Sequence, residues 1–594
     1  MILPAANSKL FARASLFLIG LVCVLPFLVS YHRPPLATFY NEWIAFVLGI
    51  AALGVWLQKS MWREMELPVI ALFPLFYLLV LLAQGALGLV AYSEQVTVAA
   101  YYLVWATCLV VLGAVLRREL GAAKIVTAIA WALLIGAALS AVAALLQHYA
   151  PHSLRILTIV HGSSVRVDGN LAQPTQFTCY ITLGLASIAY LIAANRIRTF
   201  FAASFCVLLL PPLALSGSRS SWFYIAAIVV FAAMLRARNQ GVPATRMLTF
   251  SAALLPAFLV ANWAVGLEFL RTSYDSTTAL IRLFGEAHGP SQRLELLRES
   301  WWMFLQSPWI GVGFKQFAWF QYKHHLEFGT SSVELDDHAH NILLHVLAET
   351  GFIGALVLLA AAGVWLADVC RAKFDLERCQ ILTLVAIVGL YSLNAYPLWY
   401  SYFLGVTAFL LGVGATHRLT LSLERVGQGA AILVMAGAFL IAALTVSAYR
   451  EFERTFFLVD ANSAQPHDTD RVSSVLSRLY RDPLLVPYVD LALVYGVPIT
   501  RQNARDLLAL NTRAMRLIPN SIVIYQQALV LALNGDRDSA LRQLDAAVTV
   551  YPNELQKFAR EVREMSSRYP EQLQPLLETA QSKIANLRAQ PATQ

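Results

Sequence analysis

Apolar runs of about 20 residues recur along the first three quarters of the chain, and they constrain its fold more than any other feature. As a helix, a run of that length crosses the ~30 Å hydrocarbon layer of a bilayer. The runs cover residues 11–30, 38–57, 67–90, 97–116, 124–146, 174–194, 199–215, 219–236, 247–266, 340–367, 380–396, 398–417 and 428–447. They predict an all-α polytopic membrane protein of about 13 (12–14) transmembrane helices, the range reflecting the break at "NAYP", 394–397. Composition agrees. Hydrophobic residues make up 58% of the chain and charged residues 13%, against roughly 45–50% and about 25% in soluble domains. Six cysteines lie in or beside apolar segments without a CxxC pair and read as small buried hydrophobes.

Charge sets the orientation. Lys9 and Arg13 precede the first run, and "VLPFLVSYHR" has no A-x-A cleavage pattern, so the run reads as a helix with its N-terminus inside rather than as a signal peptide. The inside loops then carry fifteen Lys and Arg residues, from Lys59 and Arg63 to Arg418 and Arg425. The short outside loops carry four: Arg33, Arg155, Arg166 and Arg219. That is the asymmetry of the positive-inside rule. The net charge of +8 therefore points to cytoplasmic anchors and phosphate binding, not to a nucleic-acid partner.

Two long polar parts fall outside. The chain divides into a membrane part, 1–447, which includes a helical outside loop at 267–339, and a helical tail, 448–594. The tail repeats Pro-Asn at 519–520 and 552–553, with Gly535 between them and Ala540 and Ala547 in the second helix. The period of 33 is close to the 34 of tetratricopeptide repeats. Such a tail either binds a protein partner or serves as a stabilising appendage.

Four polar stretches face the outside. "HGSSVRVDGNLAQPTQFTCY", 161–180, brings Asn170 and Gln173 to the entrance of a span, where Pro174 suits the first helical turn. "LSGSRSSWFY", 215–224, sets Arg219 among serines. The residue either snorkels to headgroups or binds a phosphate through its planar fork, and the flanking hydroxyls favour phosphate. "SQRLELLRESWWMFLQSPWIGVGFKQF", 291–317, carries Arg293 and Lys315 around a GxG that suits close backbone approach to a ligand. Its tryptophans read first as interface anchors. "DDHAHNILLH", 336–345, groups His338, His340, Asn341 and His345 at a helix entrance. No HExxH accompanies them, so no metal site is expected. A histidine beside Asp336 or Asp337 suits proton transfer, with a capped helix as the bland alternative.

These stretches resemble the O-antigen ligase and polymerase superfamily. "HAHNILLHVLAETGFIGAL" is similar to its H-N…E-x-G-x-x-G signature, "LALSGSRSSW" to its arginine-bearing turn, and 291–317 to its R…W…P-x-x-G-x-G-x-x-F segment. "VDGNLAQPTQFTCY" resembles the G-N-x-x-Q-P-N motif of protein O-oligosaccharyltransferases, with Thr175 in place of the last asparagine. The resemblance implies an enzyme of the Gram-negative inner membrane with its site facing the periplasm. It would transfer a glycan en bloc from undecaprenyl pyrophosphate, with inversion and with neither metal nor cofactor. The expected acceptor is lipid A–core, as for a ligase; a protein Ser or Thr is the alternative. Arg219 and Arg293, then Lys315, would hold the pyrophosphate, with Asn170, Gln173 and Asn341 as further substrate contacts. His338 is the first choice of base and His340 the second. A transporter or flippase of lipid-linked sugars is the reading from another class. It predicts broken helices at the midplane and repeated halves, and neither is visible.

Overall fold

The computed structural model describes residues 6–150, 166–270, 278–284, 292–328, 335–424, 426–460, 466–482 and 484–589. Arg155 and Arg425, counted in the charge pattern, lie outside these. The described residues are helical apart from short connections and one ribbon, in which β1 (Met65–Pro68) pairs antiparallel with β2 (Arg418–Leu421). Glu66 and Arg418 form an ion pair on that ribbon.

Among the described residues, ten helices are long and apolar enough to cross a membrane, and they match ten of the expected runs. The runs at 199–215, 380–396 and 398–417 fold as Thr199–Leu215, Leu376–Ser392 and Ser401–Gly414, of 17, 17 and 14 residues. At 1.5 Å per residue these reach about 26, 26 and 21 Å, so the first two sit at the lower end of the ~17–25 residues of a span and the third falls below it. The last two are separated by a turn at the predicted "NAYP" break, and that turn contributes to the site below. Ser401–Gly414 is an interior helix packed on Ser93–Leu120. The backbones there touch so closely that a Cβ on Gly412 would lie 1.8 Å from the Val110 carbonyl oxygen.

Loop contacts join segments that the charge pattern groups together. Arg63 pairs with Glu424, Arg118 donates to the Glu64 carbonyl, and Arg246 donates to Asn195. Asn170 donates to the Leu28 carbonyl and Arg166 to the Ser216 carbonyl. The central helix, Pro174–Ala193, is buried almost throughout. Its Thr178, Thr182 and Ser187 hydroxyls donate to carbonyls four residues back at 2.7–2.8 Å, so none is left unsatisfied in the apolar interior.

The tail stacks Ala504–Leu517, Ser521–Leu533, Arg537–Val550, Leu555–Ser566 and Pro570–Ala589 on a shared apolar core. Asn520 of the first Pro-Asn pair caps the second of these helices, accepting from the Val523 amide, and Ala540 and Ala547 are buried between helices. The tail is fastened to the membrane part. Asp490, fully buried, accepts from the Tyr92 hydroxyl at 2.9 Å and pairs with Arg513 at 2.8 Å.

Candidate active site

The site begins where two motifs cross. Helix Ile342–Arg371 is broken at Gly351, whose φ of 65° and ψ of −165° are not helical. The break frees the Ala348 and Glu349 carbonyls and the Phe352 and Ile353 amides. The 308–313 loop meets all four. Val312 N–H donates to Ala348 at 2.9 Å and Gly313 N–H to Glu349 at 3.1 Å. Phe352 N–H donates to Pro308 at 2.7 Å and Ile353 N–H to Trp309 at 3.2 Å. Main chains this close exclude side chains: a Cβ on Gly311 would lie 2.3 Å from Glu349, and one on Gly351 2.5 Å from Trp309. The GxG was expected to admit a ligand. It admits the broken helix instead.

This crossing fixes the histidines. Asn341 caps the helix, its side-chain oxygen accepting from the Leu343 and Leu344 amides at 3.1 and 3.2 Å. One turn on, His345 sits 3.3 Å from the Glu349 carboxylate, both fully buried, and its Nδ1 accepts the Ala339 amide. The His338 ring lies 4.3 Å from His345, 4.5 Å from Tyr396 and 5.6 Å from Trp399, centroid to centroid. His338 Nδ1 accepts the His340 amide at 2.7 Å, and its Nε2 is buried with no hydrogen-bond partner among the described residues. A ring that accepts at Nδ1 carries its neutral-state proton on Nε2. Burial, then the charges of His345, His340 and Lys315, hold this imidazole far below the ordinary histidine range. His338 therefore presents an N–H donor. The backbone amide aimed at its other nitrogen sets this geometry, beside the sequence expectation of His338 as first choice of base. His340 has a buried Nδ1 with no hydrogen-bond partner among the described residues. Its φ of 51° is in the left-handed region, as are those of Lys315 (60°) and Ala172 (53°), so three of the four described non-glycine residues with positive φ lie in these candidate stretches.

The second half surrounds the serine-rich turn. Arg219 donates to the Arg282 carbonyl, Arg282 to the Gly217 carbonyl at 3.1 Å, and Arg166 to the Ser216 carbonyl at 2.9 Å. Burial, with the charges of Arg282 and Arg293 against that of Asp168, lowers the Arg166 guanidinium to about 10. Burial, then Arg219 and Arg293, lowers Arg282. Four arginines thus share one field. Among the described residues Arg219, Arg282 and Arg293 make no ion pair. A cluster of guanidinium groups suits an anion such as a phosphate.

The 391–402 segment joins the halves. Tyr396 packs on His338 and stacks with Tyr400, while Tyr391 donates to Gln173 at 3.4 Å and Tyr402 to Gln176 at 2.7 Å. Of the expected residues, Arg219 and Arg293 share the arginine field, and Lys315 and His340 act electrostatically on His338. Asn341 is a helix cap. Asn170 holds the loop to Leu28, leaving its Oδ1 buried without a partner among the described residues, and Gln173 touches Tyr391. Arg166, Arg282, Tyr396 and Trp399 were not chosen as site residues from sequence, and Glu349 entered only as the glutamate of the E-x-G-x-x-G signature. The aromatic run around "NAYPLWY" and the outside position of Arg166 were the available signals; Arg282 had none.

Known families match on these same segments. A family model described as O-antigen ligase matches residues 204–359, which contain Arg219, Lys315, His338 and Glu349. A model described as virulence factor membrane-bound polymerase, C-terminal, matches residues 380–566. A general O-oligosaccharyltransferase of Acinetobacter baylyi (strain ATCC 33305 / BD413 / ADP1) is 24% identical over 414 residues, 67% of this chain and 69% of the relative. A ComP-specific O-oligosaccharyltransferase of the same organism is 23% identical over 394 residues, 65% of this chain and 68% of the relative. The chain is thus a multi-pass membrane protein that is similar to the O-antigen ligase family over 204–359 and to O-oligosaccharyltransferases over about two thirds of its length.

Proposed function

We propose that this protein transfers an oligosaccharide en bloc from undecaprenyl pyrophosphate to a hydroxyl of a protein, at the periplasmic face of the inner membrane. One observation carries the acceptor class: both relatives above are O-oligosaccharyltransferases, aligned over about two thirds of this chain. "GNLAQPTQ" supports the same reading. We therefore put the protein acceptor ahead of lipid A–core, the first expectation from sequence. Transfer to lipid A–core stands second, favoured by the O-antigen ligase match at 204–359.

In this reading Arg219, Arg293, Arg282 and Arg166 bind the donor's pyrophosphate, and Lys315 approaches it from the histidine side. His338 donates its Nε2 proton in a hydrogen bond to a donor oxygen. His340 accepts the proton of the acceptor hydroxyl. That oxygen bonds to the anomeric carbon while the bond from this carbon to the phosphate oxygen breaks, and the diphosphate leaves with the electron pair. One displacement inverts the centre. Gln173, Asn170 and Asn341 shape the walls through Tyr391, Leu28 and the helix cap.

The test is purified full-length protein with a lipid-linked glycan and, in parallel, a Ser/Thr-rich acceptor protein and lipid A–core. Glycosylated protein with unmodified lipid A–core supports the first reading, and the reverse supports the second. Transfer to neither acceptor, with the protein folded, rejects both.

A further inference from the structure

Lys315 stands in a left-handed conformation that lysine adopts only under constraint, and the constraint comes from two distant parts of the chain. From the membrane, Gln84 is fully buried in an apolar span. Its amide donates to the Ile310 carbonyl at 2.6 Å and the Glu349 carbonyl at 2.7 Å, and its oxygen accepts the Phe314 amide at 3.0 Å. A buried polar side chain in a membrane span is costly unless it has a task. Here the task is to clip the loop before Lys315 to the broken helix that carries His345. From the tail, Arg516 exchanges two hydrogen bonds with Gln316. Arg516 Nε donates to Gln316 Oε1, and Gln316 Nε2 donates to the Arg516 carbonyl, both at 3.4 Å. Arg516 also donates to Leu89, and Gln316, itself buried, donates to the Lys315 carbonyl at 3.0 Å.

Helix Phe317–Lys323 continues the connection. Tyr322 belongs to the apolar core of the tail and accepts from Gln543 at 2.7 Å. Phe317, on the same helix, packs with Ala339 and Ala348 and lies 5.6 Å from His345. One short helix therefore has one side in the tail and the other in the histidine cluster.

We propose that Gln84 and Arg516 are positioning residues for Lys315, and that the tail is thereby a working part of the transfer site rather than an appendage. The proposal rests on the assignment of Lys315 to the donor pyrophosphate. Two measurements on the full-length protein separate them. Hydrogen exchange of the 313–318 amides reads the brace directly. Exchange rises about tenfold in Gln84→Ala and Arg516→Ala, and Arg516→Lys restores little because a lysine cannot reproduce the fork. Transfer kinetics read the consequence. Arg516→Ala raises the donor KM about tenfold, and in the Lys315→Ala background it adds less than twofold, because the two act as one unit. A purely structural role predicts lower stability with the donor KM unchanged at a temperature where all variants stay folded. Unchanged exchange in both variants overturns the brace. Full transfer by Lys315→Ala overturns the assignment of Lys315 and the catalytic half of this proposal, whatever the exchange shows.

Discussion

Gly351→Ala tests the chain crossing that underlies the site. Its backbone lies in a region essentially confined to glycine, which costs another residue about 1–3 kcal/mol. The new Cβ would lie 2.5 Å from Trp309 and 2.6 Å from the Gly311 nitrogen. Reaching an ordinary ~3.5 Å contact opens the crossing by about 1 Å. Four hydrogen bonds now at 2.7–3.2 Å would then pass the limit of useful geometry. At about 0.5–1 kcal/mol net for each, the total loss is about 3–7 kcal/mol. Gly363, in the same helix, is open: a Cβ there would meet no atom within 4 Å. Gly363→Ala should be neutral or stabilising by up to about 1 kcal/mol. The assay is thermal unfolding of both variants in detergent, with transfer measured at a temperature where both are folded. Gly351→Ala should unfold at a clearly lower temperature and lose transfer. If the two variants behave alike in both measurements, the crossing does not hold the site.

His338→Gln keeps a side-chain N–H and should retain at least tenfold more kcat than His338→Ala, whose loss should be ~10²-fold; equal losses would reject the donor role. Arg282→Ala should raise the donor KM by ~10–100-fold, and Arg282→Lys should recover little of it, because the planar fork is lost. Asn341→Ala should destabilise the fold by the ~1 kcal/mol of a lost helix cap, read as a lower unfolding temperature, while leaving the donor KM unchanged; a raised KM would make Asn341 a ligand residue. For pH the sign runs through His338, whose folded imidazole is held below its ordinary value of 6.5. The unfolded chain binds that proton first, so stability is intact above about pH 6.5 and declines below it, by up to about 1.4 kcal/mol per pH unit. Wild type should therefore lose stability toward acid faster than His338→Gln; parallel curves would show that the ring is not buried neutral.

Long apolar runs bounded by basic loops determine a helical membrane bundle and its two faces, because lipid leaves a 20-residue apolar segment few alternatives. That much needed no tertiary structure, and neither did the choice of Arg219, Arg293, Lys315 and His338 as candidate site residues. The three shorter helices were less legible: an interior helix such as Ser401–Gly414 is apolar for packing, and its run looks like a span. The roles of the site residues depended on partners far away in sequence. The GxG at 311–313 looks like ligand contact until Gly351 is found against it, 40 residues on. Arg282 was invisible because a lone arginine in a polar loop carries no pattern, and only folding sets it beside Arg219. The His338 proton was decided by a single backbone amide. Sequence patterns record what one segment needs from its solvent, whereas a hydrogen bond or a shared electric field is a property of two segments and exists only once the fold has brought them within a few ångströms.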